Sequence, residues 1–269
     1  MSPTKRQSAS SLLPLAHALA DMAGKAVLPY FRKALQIENK ADGKGGFDPV
    51  TAADRAAERA ISRHLAEAQP DHGIIGEEFG QREGAGRFNW VIDPIDGTKA
   101  FVMGSPLWCT LIGLLDDAAP ALGIMDQPFT GERVWSSGRT THWRLPDGKV
   151  RRVRTRACAR LEDAILTTTS PDLFGGKREA DAFQRLKRRA RMTRYGGDGY
   201  GYCLLAGGHV DLIAESGLKA YDIVALIPII EQAGGRVTTW EGEAADKGGR
   251  IVAAGDPKLH DIALRILNP

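Results

Sequence analysis

The sequence predicts a mixed α/β protein in which helices lead into a sheet and an alternating α/β half follows. Three patterns predict it. Two amphipathic helical stretches come first, from about Leu12 to Ala34 and from Asp54 to Ala68. Several strand-like runs then lie between Ile74 and Trp135. Beyond about Val150, strand and helix patterns alternate. That change of character places an expected boundary between an N-terminal lobe, residues 1–150, and a C-terminal lobe, residues 151–269. A chain of 269 residues with 43% hydrophobic content can fill two such lobes or one large layered domain.

The elements follow in order. In the first helix Leu15, Leu19, Met22 and Ala26 form a stripe that runs straight through Asp21 and Lys25. Lys5 and Arg6 ahead of LLPLAHALA imitate a signal peptide, but an excised segment has no need of that stripe, so a retained helix and a cytoplasmic protein are expected. The second helix is announced by DPVTAADRAAERAI, where Asp48, Thr51 and Asp54 precede the periodic run and Thr51 suits the cap. An apolar run in HGIIGEEFG ends at Glu77-Glu78, and WVIDPIDGT ends a strand at Asp93. There Pro94 presets a turn, Asp96 lies on it, and Gly97-Thr98 open a helix whose free N–H groups suit an anion. LEDAILTTT, a helix over 181–191 and HVDLIAES continue the chain. In LKAYDIVALIPIIEQAGG a helix starts just after Asp222 and stops at Gly234-Gly235, with Pro228 expected to kink it.

Hard carboxylates beside an anion-binding helix start are the chemistry of a divalent metal and a phosphate. A calcium loop, a D-x-D phosphatase and a Walker loop all fail on spacing. Asp93 and Asp96 are three apart, whereas a calcium loop needs acids two apart and a glutamate at the twelfth position, which here is Gly104. A D-x-D phosphatase has the same two-residue spacing, and a Walker loop is broken because Gly45 follows Gly43-Lys44. Taken singly, Glu77-Glu78, Asp54 and Asp222 are ordinary turn or helix-start acids.

Bulk properties exclude several classes. A net charge of +3 is too small to imply a nucleic-acid partner, and RLKRRARMTR, 185–194, reads as one solvated helix face. No run reaches membrane-span length, so no membrane partner is expected. Cys109, Cys158 and Cys203 are odd in number and lack paired spacing, which favours free buried thiols over a disulfide or zinc framework.

Taken together, GEE, then DPIDGT, then an aromatic-Asp pair opening a glycine-terminated helix resemble the inositol monophosphatase superfamily, over nearly the whole chain from Leu13 to about Val252. Tyr221 stands where Trp is usual, and the long KADGKGGFDPVT leaves the family's lysine open between Lys40 and Lys44. Within the superfamily the chain looks most like the bacterial and plant histidinol-phosphate phosphatases. The stretches 111–135, 153–174 and 196–222 carry that likeness, chiefly Thr-Thr-Ser-Pro and Asp198, where inositol enzymes have a small apolar residue.

The resemblance implies a layered α/β/α/β/α sandwich, a small phosphorylated substrate, a homodimer, and two or three Mg²⁺ ions for which Mn²⁺ can substitute. Acids brought together this way cannot all stay ionised without cations, and an all-oxygen donor set suits Mg²⁺. By motif, Glu77, Asp93 and the Ile95 carbonyl would hold one ion and Asp93, Asp96 and Asp222 the second, with a third, weaker ion near Glu77. Thr98, hydrogen-bonded towards Asp54, would orient the attacking water, so Glu77, Thr98 and Asp54 would carry the catalysis. The N–H groups of Gly97 and Thr98 would cradle the phosphate, while Gly196, Asp198, Glu215 and Asp222 would face the substrate. Asp198 and Glu215 suit the amine of histidinol phosphate, and the expected reaction is its hydrolysis to histidinol and phosphate in histidine biosynthesis. The alternative is an inositol-1-monophosphatase or another sugar-phosphate phosphatase. A non-catalytic binding protein would have lost one of Glu77, Asp93, Asp96, Thr98 or Asp222, and none is lost.

Overall fold

The computed structural model describes residues 7–34, 36–40 and 49–268, so Lys44 and Asp48 lie outside the described residues. α1 (Leu13–Val27) is followed by turns rather than by the longer helix expected. Arg32 bends the chain there with a left-handed φ of 58°, and its Nε donates to the Gly104 carbonyl at 3.0 Å. β1 (Ile37–Asn39) and β2 (Pro49–Thr51) form a short antiparallel pair leading into α2 (Ala52–Ala68). Thr51 caps α2 as expected: its hydroxyl accepts from Ala53 N, and Asp54 Oδ2 accepts from Thr51 N at 2.9 Å.

β3 (Gly73–Gly76), β4 (Gly80–Arg82) and β5 (Phe88–Asp96) come next, then the single-turn α3 (Thr98–Val102). They are followed by β6 (Cys109–Asp116), β7 (Ala119–Gln127), β8 (Glu132–Ser136), β9 (Thr141–Arg144) and β10 (Val150–Val153). These eight strands form one sheet in the order β10-β9-β8-β7-β6-β5-β3-β4, antiparallel except for β3 beside β5. The chain then supplies β11 (Ile165–Thr168), α4 (Lys177–Arg189), β12 (Met192–Tyr195), α5 (Asp198–Ala206) and β13 (Leu212–Leu218). It ends with α6 (Ala220–Ile223), α7 (Leu226–Ala233), β14 (Arg236–Thr239), β15 (Gly249–Ala254) and α8 (Pro257–Leu267). The second sheet has the order β12-β11-β13-β15-β14.

Alternation along β6 builds the layers. Ile112 and Leu114 join Trp90, Ile92 and Ile124 beneath α1 and α2, whereas Cys109 and Leu111 turn the other way, towards α5 and α7. Those central helices also meet Ile213, Ile251 and Ala253 of the second sheet, whose far face carries Leu212, Ala214 and Val252 under α4 and α8. Helices, sheet, helices, sheet, helices is the five-layer sandwich that the family resemblance implied. Among the described residues no helix is long and apolar enough to cross a membrane.

Two local departures from expectation matter for the site. β5 does not stop at Asp93 but runs on to Asp96 through a bulge: Asp93 pairs with Leu111 and Asp96 with Cys109, so β5 carries one residue more than its partner. Pro94 sits in that bulge with no N–H to lose from the ladder, and its carbonyl accepts from the buried Thr110 hydroxyl at 2.7 Å. Pro228 does more than kink its helix. Its ring displaces the bond that would reach back to Val224, and the helix breaks there into α6 and α7. The break rests on Gly113 and Gly123, which face each other across β6 and β7. A Cβ on Gly123 would lie 1.8 Å from the Ala225 carbonyl oxygen.

Candidate active site

The bulge explains how Asp93 and Asp96 meet. Residues three apart on a regular strand point to opposite faces, and the extra residue returns both acids to the face shared by their partners Leu111 and Cys109. Asp222, in the one turn of α6, comes down on that face with its Oδ2 accepting from Lys219 N at 2.6 Å. Carboxylate oxygens of Asp93, Asp96 and Asp222 then lie within 4.8 Å of one another. Glu77 follows β3, and its N–H continues the ladder to the Ile92 carbonyl at 3.2 Å, which seats it one residue from Asp93 across the sheet.

Gly97 turns the chain into α3 at a φ of 82°, a conformation open to glycine. Glycine is needed there twice over, because a Cβ would lie 3.1 Å from the Asp198 carboxyl carbon. Asp198 is the first residue of α5, held at a φ of 44° after Gly196 and Gly197, and the next N–H, from Gly199, donates to Asp96 Oδ2. Glu215 on β13 is buried, its Oε1 accepting from Thr169 N and its Oε2 from the Tyr202 hydroxyl, both at 2.8 Å. Asp96, Gly97, Thr98, Asp198, Glu215 and Asp222 all line one cleft of about 270 Å³.

Electrostatics set what this cleft accepts. Burial, and then repulsion from Glu77, pushes the Asp93 carboxyl well above the carboxylate range; burial, and then Asp198, does the same to Asp96. Burial likewise raises Asp222 and Asp198 to about 7 and Asp54 to about 6. Among the described residues no lysine or arginine pairs with Asp93, Asp96 or Asp222. Lys40 pairs instead with Glu77 at 3.0 Å and Glu78 at 2.6 Å; burial would lower its pKa, but those bonds prevail and raise it. The Cys109 thiol donates to Asp96 Oδ2 at 3.6 Å, and burial keeps it protonated, so the donor set offered to an ion is oxygen alone. Three converging hard acids without a counter-charge fit a divalent cation such as Mg²⁺.

Most of the residues expected from the sequence converge here, with three differences. Thr98 does not bond Asp54: its hydroxyl donates to the Ile95 carbonyl at 3.1 Å, the very oxygen expected to face a metal. Asp54 Oδ2 is taken by Thr51, and its buried Oδ1 has no partner. Gly196 does not line the cleft but ties its loop down, donating to the carbonyls of Thr168 and Thr169 at 3.0 Å. Lys99, Thr169 and Tyr202 line the cleft and were not anticipated. Lys99 directly follows the DPIDGT motif, and Tyr202 lies one turn after Asp198, which becomes a signal once 198–206 is known to be helical.

Known proteins resemble this chain over most of its length. The Arabidopsis thaliana protein named bifunctional phosphatase IMPL2, chloroplastic, is 43% identical over 263 residues, 93% of this chain and 73% of that one. The histidinol-phosphatase of Mycobacterium tuberculosis is 36% identical over 257 residues, 95% of this chain and 97% of its own. A solved inositol monophosphatase from Zymomonas mobilis superposes with a TM-score of 0.85 at 41% identity, covering 98% of this chain and 100% of that one. The model of the inositol monophosphatase family matches residues 8–268, and a phosphatase of the inositol monophosphatase family is what this chain is.

Proposed function

We propose that the chain is a Mg²⁺-dependent phosphomonoesterase whose substrate carries a cationic amine, with histidinol phosphate the best fit. The observation that carries this reading is the pair Asp198 and Glu215, two carboxylates set in the cleft beside Gly97 and Thr98. Relatives named histidinol-phosphatase support it. Glu77, Asp93 and the Ile95 carbonyl would hold one ion, and Asp93, Asp96 and Asp222 a second. Bound Mg²⁺ supplies the Lewis acidity that eases deprotonation of water and steadies the departing oxygen.

The chain's own groups do the rest. Gly97 and Thr98 present N–H groups to the phosphate at the start of α3. The Thr98 hydroxyl donates to the Ile95 carbonyl and keeps its lone pairs free to accept from the attacking water and orient it towards phosphorus. Glu215 is held by Thr169 N and the Tyr202 hydroxyl, and Asp198, itself hydrogen-bonded by the Thr169 side chain, faces the ammonium beside it. Burial and then Glu215 raise Asp198 to a pKa of about 7, which Lys99 and Thr169 offset only in part, so an ammonium adds charge compensation that a polyol does not. Hydrolysis of inositol 1-phosphate is the second reading, favoured by the likeness to the Zymomonas mobilis enzyme.

Asp198→Ala tests the proposal. Losing a charge-assisted hydrogen bond in a buried site costs about 1.5–3 kcal/mol, so kcat/KM for histidinol phosphate should fall about ten- to a hundredfold, mainly through KM. Turnover of p-nitrophenyl phosphate, which has no amine, should barely change. Equal losses on both substrates would refute the reading.

A further inference from the structure

Glu58 takes no part in the cleft, yet it is 1% exposed and sits one turn after Asp54 on the same face of α2. A buried carboxylate without a counter-charge is costly unless hydrogen bonds replace its water. Two do: Oε2 accepts from Glu78 N at 2.8 Å and Oε1 from Phe79 N at 3.0 Å. The contact is close enough to exclude a side chain on the neighbouring strand, because a Cβ on Gly76 would lie 1.9 Å from Glu58 Oε1.

These bonds bracket Glu77. Its own N–H is tied to the Ile92 carbonyl at 3.2 Å, and the next two N–H groups are tied to Glu58. The main chain from Gly76 to Phe79 is therefore held to β5 on one side and α2 on the other, leaving Glu77 only its side-chain torsions. α2 is itself fixed at its start by the Thr51–Asp54 capping box. A carboxylate suits two successive N–H groups because it accepts with both oxygens; a glutamine would turn an NH₂ towards one of them and leave it unsatisfied.

We propose that Glu58 is a positioning residue that holds the Glu77 backbone in place for metal binding. The inference rests on the reading of Glu77 as a metal ligand. Glu58 touches neither metal nor substrate, so its effect belongs in metal affinity rather than in substrate KM.

The test is Glu58→Gln, with Glu77→Gln as the reference, each titrated with Mg²⁺ by calorimetry and by the Mg²⁺-dependent rise in Tm, alongside phosphate release. Partners that orient a metal ligand are worth about ten- to a hundredfold in metal affinity, so Glu58→Gln should weaken Mg²⁺ by that factor. At saturating Mg²⁺ its KM should equal that of the parent and its kcat should recover to within a few-fold. Glu58→Asp, which keeps the charge but withdraws it, should fall between the parent and Glu58→Gln, and it serves as the readout if Glu58→Gln does not fold. Weakened Mg²⁺ binding in Glu77→Gln with parental binding in the Glu58 variants would overturn the proposal. So would a lower Tm without Mg²⁺ and an unchanged Mg²⁺ affinity, the sign of a purely structural role. Parental binding in Glu77→Gln would overturn the reading of Glu77, and the proposal with it.

Discussion

Asp93 is repelled by Glu77, Asp96 and Asp222, and each adds to the rise in its pKa that burial begins. Replacing it with asparagine removes a charge that both proposed ions would share. Asp93→Asn should therefore lower kcat by several orders of magnitude with little change in fold, and a loss below about tenfold in phosphate release would contradict its role. The acids were legible in the sequence because hard oxygen donors, a glycine and a hydroxyl are packed into one short motif whose chemistry narrows the choices. Glu58 was not legible, since its signal is a buried charge at a spacing that any amphipathic helix shows. Nor was the partner of Thr98. Whether a hydroxyl donates to a carbonyl one turn back or to an acid on another helix depends on distances that spacing does not carry.

The break between α6 and α7 aims Asp222, and that break depends on the facing glycines of β6 and β7. Gly123→Ala would drive a methyl into the Ala225 backbone, where no flexible side chain can yield. It should destabilise the protein by about 1–3 kcal/mol in urea unfolding and weaken Mg²⁺ by shifting α6; a change below about 0.5 kcal/mol would show that the contact is soft. Elements with strong patterning were legible: α2 with its cap, the strand-rich span from Ile74 to Trp135, and the glycine stop of α7, where Gly234 has a φ of 107°. The start of α4 at Lys177 lies four residues before the expected 181, in a polar turn with no apolar stripe to mark it. α5 carries no helix signal because Gly-Gly-Asp-Gly-Tyr-Gly has poor helix propensity; a Cβ on Gly199 would lie 2.5 Å from Asp96 Oδ2, so glycine there permits close approach. The exposed pattern of β10 likewise gives no alternation to read.

In the assembled molecule burial, and after it mutual repulsion, disfavours the ionised acids, a cost that a divalent cation would offset. Asp54 is raised from 3.8 to about 6, and Asp198 and Asp222 from 3.8 to about 7, in each case mainly by burial. A carboxyl whose pKa is higher folded than unfolded holds its proton in the folded state, so its contribution is fully present below the unfolded value and is lost as pH rises through the folded one. The metal-free protein should thus lose stability between pH 3.8 and about 7, and Mg²⁺, by favouring the ionised acids, should restore it. The Mg²⁺-induced rise in Tm should be larger at pH 8 than at pH 5; equal rises would contradict this linkage. The same crowding makes the enzyme's choice of substrate the sharpest question for the whole molecule, because a cleft of acids answers differently to a cation and to a polyol. Phosphate release by the intact protein from histidinol phosphate and inositol 1-phosphate, compared side by side with Mg²⁺ and after chelation, asks it directly. Mg²⁺-dependent release with a higher kcat/KM for histidinol phosphate is the expected result; release that survives chelation, or a preference for inositol 1-phosphate, would contradict it.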